Sequence, residues 1–294
     1  MTQKTQFKKV GLISKPNSPD LLGTLSSLIN LLQRHHIHLT VSDDCPSELL
    51  ATSIQVVPRT HIALGVELVI VVGGDGSLLN TVRAIMNHNP EVPILGVNRG
   101  HLGFLTDISP SDIETQIPAI LQGHYQEEVR TLLQGDIIRH QKPIHQGMAL
   151  NDIVLYSTNI AKMIEFEVLI NQQFVYQQRS DGLIVATATG STAYALSAGG
   201  PIMHPNLNAW LLVPMHPHTL TNRPIVVDDK SHIILKITEN NNHLPKVSFD
   251  GQIHFDTQAL DEIHITQFPK KLRLIHPTNY DYYAMLRGKL GWNN

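Results

Sequence analysis

Disulfides, membrane spans and a footprint for long nucleic acids are all missing from this sequence. A single cysteine, Cys45, in 294 residues can form neither an intrachain disulfide nor a multi-thiolate metal site. Purely apolar strings such as Leu68 to Val72 and Ala209 to Val213 run five residues, against the roughly 20 a spanning helix needs. The opening MTQKTQFKKV passes from polar residues into a strand-like stretch without the apolar core of a secretion signal. A cytosolic protein with no membrane partner is expected. The formal net charge of −3 leaves room for a local pocket holding one small anion but not for a nucleic-acid surface. Histidines number 17, yet runs such as Arg34-His35-His36-Ile37-His38 and His216-Pro217-His218 match no metal-ligand spacing, so no metal ligand is assigned.

What is present is globular: 42% apolar and 16% charged residues, in a chain long enough for about two domains. Val10 to Ser14 reads as a strand, Asp20 to Arg34 carries leucines at helical spacing, and His38 to Val41 is extended again. Leu68 to Val72 is a continuous apolar strand, Ser77 to Asn87 shows one apolar helical face, and Pro93 to Val97 is another buried strand. This alternation predicts a parallel sheet covered by helices. From about Glu128 the texture changes to two-residue alternation, seen in KMIEFEVLIN (162–171) and again in 231–238. Strands are also expected at 132–139, 149–157, 183–187, 247–249 and 263–266, so this half is mainly β. The expected division is residues 1–125, an α/β nucleotide-binding domain, and 126–276, a β-rich domain. A short C-terminal helix marked by Tyr283, Leu286 and Leu290, within 277–294, has the option of returning to the first domain.

Two segments concentrate chemistry. Gly73-Gly74-Asp75-Gly76 lies where a buried strand hands over to a helix, where open α/β sheets place their ligand crevices. Glycines there can adopt positive φ and admit a ligand to the backbone, and the helix start attracts phosphate. The loop is neither a Walker sequence nor a G-x-G-x-x-G fingerprint, and it contains no lysine. Asp75 has two readings, a helix cap or a general base facing an acceptor hydroxyl. The second segment, Arg179 to Tyr194 (RSDGLIVATATGSTAY), crowds small hydroxylated residues around Gly190. It reads either as a tight strand-to-helix connection or as a slot where backbone and hydroxyls approach a nucleotide bordered by Tyr194.

Together with Ala149-Leu150-Asn151-Asp152, these segments resemble the NAD kinase family, in that family's order. Gly-Gly-Asp-Gly alone also resembles phosphofructokinases and diacylglycerol and sphingosine kinases. Gly96-Val97-Asn98-Arg99-Gly100-His101-Leu102-Gly103-Phe104-Leu105, Ser197-Ala198-Gly199-Gly200-Pro201-Ile202 and Leu290-Gly291-Trp292 extend the resemblance to the family's Gram-negative bacterial branch. It implies a phosphofructokinase-like α/β domain followed by a β-sandwich-like domain that binds the dinucleotide and mediates oligomerisation. The implied reaction is phosphoryl transfer from ATP to the adenosine 2′-hydroxyl of NAD, with a divalent ion, Mg²⁺, bound with ATP, in a homotetramer. By resemblance Asp75 is the proton acceptor and Gly73, Gly74 and Gly76 form the phosphate loop. Asn151 and Asp152 hold the adenosine, and Thr192, Ala193, Tyr194, Ala195, Leu196 and Ser197 wall the adenine. Arg179 and Asp181 face the nicotinamide end, with Lys162, His216 and Gln252 as further contacts. Departures from the family pattern are Ala188 for a proline, Asp152 for a glutamate and His101 for an asparagine. Two rival functions fit the same residues: a catalytically silent NAD(P)-binding regulator and a lipid or sugar kinase sharing the glycine loop.

Overall fold

Alternating strand and helix signals in the first hundred residues build a parallel sheet. The computed structural model describes residues 6–15, 18–49, 54–100, 103–159, 162–219, 221–241 and 243–292. Strands β1 (Lys9–Ser14), β2 (His38–Ser42), β3 (Gln55–Val57), β4 (Leu68–Val72) and β5 (Ile94–Val97) run parallel in the order β3-β2-β1-β4-β5. Helix α1 (Leu22–Arg34) buries Leu25, Leu28, Ile29, Leu31 and Leu32. Every residue of β4 is buried, which explains its unbroken apolar run and stabilises the sheet by about 1.5–3 kcal/mol per large side chain. Strand order reverses at β1 and β4, the switch point beyond whose carboxyl ends such sheets bind ligands. Helix α2 (Asp75–Met86) starts there, two residues before the apolar pattern suggested, so Asp75 belongs to its first turn.

Two later strands extend this sheet. Leu272–His276 pairs in parallel with β5, and Gln126–Arg130 lies beyond it. The chain divides into two compact units, Met1–Val129 with Leu272–Asn294, and Arg130–Lys271. The expected bounds of 125 and 276 therefore need correction. A five-residue strand carries no periodicity that names its sheet; pairing with β5 places 272–276 in the first unit.

The second unit is built from two six-stranded antiparallel sheets. One runs Gln173–Ser180, Ile164–Ile170, Ile233–Ile237, Glu262–Gln267, Leu133–Arg139, Lys142–Ala149. The other runs Ile225–Asp228, Ala209–Met215, Gly182–Thr187, Asp152–Tyr156, Lys246–Phe249, Ile253–Asp256. Ile164, Phe166 and Val168 of the first sheet share a core with Leu183, Val185, Trp210 and Phe249 of the second. Strand Gly182–Thr187 is buried on both faces, because its alternate residues Ile184 and Ala186 pack beneath Ala188, Ala195 and Met203. Phe249 lies over two paired glycines, Gly135 and Gly147, where a Cβ would come within 2.8 Å of its ring. That wedge fixes the strand end that delivers Asp250.

Candidate functional site

Asp75 does not cap its helix. The cap position is Gly74, which has no side chain to bond the first-turn amides. The carboxylate turns instead to residues 103–106: Oδ2 accepts the Phe104 N–H at 2.9 Å, and Oδ1 accepts the Leu105 N–H at 3.1 Å and the Thr106 hydroxyl at 3.3 Å. Two carboxylate oxygens offer about four lone-pair directions, so among the described residues one direction, on Oδ2, takes no hydrogen bond. A Cβ at Gly103 would stand 2.3 Å from Oδ1, so only glycine permits this approach. The loop reaches Asp75 through a turn in which Gly100, at φ +95°, donates its N–H to Asn98 Oδ1 at 2.7 Å. The motif from Gly96 to Leu105 thus acquires a physical role that its sequence did not reveal; His101 lies outside the described residues.

The phosphate-loop assignment needs one correction. The Gly73 N–H donates to the Val97 carbonyl at 2.9 Å, and a Cβ there would meet Ser77 Oγ at 2.5 Å. Gly73 therefore packs the loop under its helix and has no N–H to offer a phosphate. None of Gly73, Gly74 and Gly76 uses positive φ. Gly74 faces open space, with nothing within 4 Å of where a Cβ would sit, and Gly76 is exposed. A cation overlooked in the sequence stands nearby. Arg59 bonds to the Thr81 hydroxyl at 2.9 Å and the Ser14 carbonyl at 3.3 Å and pairs with Asp44, tying α2 to the end of β1.

In the second unit, Asn151, Asp152, Asp181, Ala193, Tyr194 and His216 line one cavity of about 690 Å³, a size suited to a nucleotide-like ligand. Asp152 is 4% exposed. Burial first, and then the neighbouring Asp250 carboxylate, push its pKa from 3.8 up to about 7. Asp250 was missed by the sequence reading. At φ +52° it begins an Asp-Gly turn, and its carboxylate accepts the backbone N–H groups of Leu150, Asn151 and Asp152 at 3.1, 2.7 and 3.3 Å. The Asp250-Gly251 pair was the available signal, since such a pair marks a hairpin turn. Tyr194, on the single-turn helix Tyr194–Ser197, has its phenol pKa raised by burial and then by Asp152 and Asp181. Asp181 Oδ2 and His216 Nδ1 are 3.0 Å apart. Tyr156 and His254, also unforeseen, complete part of the wall with their own 3.0 Å contact.

Other expected residues lie elsewhere. Thr192, Leu196 and Ser197 are not among the residues lining this cavity, and Ala195 is fully buried against Ile184 and Val213. One helical turn can present only part of its circumference, and here that part is Tyr194. Gln252 is absent from the lining; its N–H closes the Asp250-Gly251 turn onto the Phe249 carbonyl at 3.0 Å. Lys162 and Arg179 line a second cavity, about 500 Å³, with Glu165, His218 and His243. Arg179 belongs to strand Gln173–Ser180 of one sheet, whereas Asp181 sits where the chain crosses to the other. The hydroxyls around Gly190 are spent internally: Thr187 Oγ1 donates to the Leu150 carbonyl at 2.6 Å and Ser191 Oγ to the Ala188 carbonyl at 2.7 Å. A Cβ at Gly190 would stand 2.0 Å from the Asn151 carbonyl. The small residues thus let two backbones meet.

Family models described as the ATP-NAD kinase N-terminal domain and the ATP-NAD kinase C-terminal domain match residues 10–125 and 150–277. The chain belongs to the NAD kinase family. The NAD kinase of Pseudomonas putida (strain W619) is 49% identical over 289 residues, 98% of this chain and 97% of its own. That of Marinobacter nauticus is 50% identical over 287 residues, again 98% and 97%. Yeast NADH kinase complexed with NADH aligns with a TM-score of 0.88 at 26% identity, over 99% of this chain and 89% of its own. An NAD kinase from Archaeoglobus fulgidus in complex with ATP gives 0.73 at 25% identity, over 96% and 97%. Membership of the NAD kinase family over both domains displaces the lipid- or sugar-kinase alternative, which rested on the glycine loop alone.

Proposed function

We propose that this chain transfers the γ-phosphoryl group of ATP to the adenosine 2′-hydroxyl of NAD, releasing NADP and ADP, with Asp75 as the proton acceptor. The observation that carries this reading is the Asp75 carboxylate, pinned by three donors at the carboxyl end of β4 with one Oδ2 lone-pair direction that takes no hydrogen bond among the described residues. In the step, a bond forms between the 2′-oxygen and the γ-phosphorus as the bond to the β-bridging oxygen breaks. The hydroxyl proton passes to Asp75 and then to solvent. Phosphoryl transfer depends mainly on alignment and charge neutralisation, and a carboxylate anchored on three sides supplies alignment.

Asn151 and Asp152 are assigned to the adenosine and Tyr194 to the adenine border. Ala193 lines the same wall, and Thr192, Ala195, Leu196 and Ser197 are assigned to the adenine side with it. Asp181, His216, Arg179 and Lys162 serve the remainder of the dinucleotide. Gly74, Gly76 and the start of α2 receive phosphate. Among the described residues no group of three or more His, Cys, Asp or Glu could hold a metal ion. A divalent ion such as Mg²⁺ would arrive with ATP, bound by phosphate and water. Among the described residues no helix is long and apolar enough to cross a membrane. We assign the chain to the cytosol and to a homotetramer, the latter testable by light scattering on purified protein.

The test is NADP formation by purified protein with NAD or NADH, and with ATP or polyphosphate, in the presence of Mg²⁺. Production of NADP from NAD and ATP is expected. No phosphorylated dinucleotide across the whole matrix would sink the proposal and favour a silent dinucleotide-binding regulator.

A further inference from the structure

The loop that holds Asp75 is itself held from the far end of the chain. Asp107 directly follows Thr106 and precedes Ile108, which bridges to Val97 and accepts the Asn98 N–H at 2.8 Å. Asp107 Oδ2 lies 3.0 Å from His276 Nδ1, and His276 Nε2 lies 3.4 Å from Glu128 Oε2. These side chains are 10%, 2% and 15% exposed, so the cluster is nearly closed to water. The His276 ring stacks on Tyr280, with centroids 4.0 Å apart and planes at 14°. Pairing of Leu274 with Ile94 and of Ile275 with Leu95 carries His276 to the level of Gly96, where a Cβ would stand 2.6 Å from the Leu105 carbonyl. Burial pulls the imidazole pKa down, but Asp107 and Glu128 together outweigh it and hold it above 6.5. The same C-terminal segment touches the loop again: Lys289, on the helix Tyr282–Leu290, lies 5.7 Å over the Phe104 ring.

Resting on the reading of Asp75 as proton acceptor, we propose that His276 is a positioning residue for phosphoryl transfer. Clamped between Asp107 and Glu128, it fixes the 103–107 loop and, through the Phe104, Leu105 and Thr106 donors, the orientation of the Asp75 carboxylate.

Two substitutions divide the clamp. In His276→Asn the amide nitrogen takes the place of Nδ1 and keeps the Asp107 bond, whereas in His276→Gln it reaches the place of Nε2 and keeps only Glu128. A displacement of about 1 Å at the reacting groups costs on the order of 100-fold in rate. His276→Gln is therefore expected to lower kcat by roughly 10- to 100-fold with KM for NAD and ATP little changed, while His276→Asn retains most of kcat. If His276→Gln does not fold, Asp107→Ala, which removes the acceptor and leaves the His276–Glu128 pair, carries the same expectation. Equal kcat in the two His276 variants, or a loss of thermal stability alone with kcat intact, overturns the proposal. Asp75→Asn is assayed alongside. If it turns over at the wild-type rate, the reading of Asp75 fails and the clamp with it; if it is inactive while His276→Gln and Asp107→Ala are normal, the clamp alone fails.

Discussion

Replacing Asp152 with asparagine removes a buried charge without changing the side chain's shape. In the folded chain the Asp152 pKa stands near 7 against 3.8 when solvated, a gap of roughly three pH units at about 1.36 kcal/mol each. Below pH 3.8 the group is protonated in both states and adds nothing. Between 3.8 and about 7 unfolding releases a proton, so stability falls as pH rises. Above that window the full cost, about 4 kcal/mol, is present. Asp152→Asn should therefore be more stable than wild type at pH 8, with the advantage shrinking steadily toward pH 4. Urea unfolding of both proteins from pH 4 to 8 measures this, and titrating groups not coupled to Asp152 cancel in the difference. A stability difference that does not change with pH would refute the argument from burial and Asp250. The same variant should lose NAD affinity, since an amide nitrogen cannot accept from a ribose hydroxyl. Wild-type KM for NAD should rise below pH 7 as the carboxylate takes up its proton.

Other expectations follow from close contacts. Asp75→Asn should reduce NADP formation by about 100-fold or more while calorimetry still detects NAD binding; near wild-type turnover would remove Asp75 from the chemistry. Its amide also turns a donor toward the Phe104 or Leu105 N–H, so a modest loss of thermal stability should accompany the loss of rate. Gly190→Ala, with a Cβ 2.0 Å from the Asn151 carbonyl, should destabilise the chain by about 1–3 kcal/mol and weaken NAD binding, both readable in one thermal-shift titration. Ala188→Pro should stabilise by about 0.4–1 kcal/mol, because φ at Ala188 is −58° and Thr187 before it ends a strand. A lower melting temperature would show that this backbone cannot accept the proline.

Apolar patterning made most of the interior legible. Leu68 to Val72 and Gly182 to Thr187 are continuous apolar runs because both faces are covered, and Ile164 to Ile170 alternates because one face is. The four strands that end the two antiparallel sheets, Gln173–Ser180, Lys142–Ala149, Ile225–Asp228 and Ile253–Asp256, escaped notice. An edge strand forms its ladder on one side and is largely exposed, so it need not carry an apolar signature.

By itself the sequence determined the two textures of the chain, most of its buried strands and the residues around which chemistry gathers, because periodicity and glycine chemistry are local properties. Only the tertiary structure decided what those residues do. Asp75 had two local readings, cap or base, and its carboxylate in fact meets amides about 30 residues away. Asp152 owes its altered acidity to burial first and then to Asp250, 98 residues on. His276 joins a sheet whose other strands begin at Lys9. Such contacts depend on strand register and on which side chains a fold brings together, and neither is written in a window of neighbouring residues.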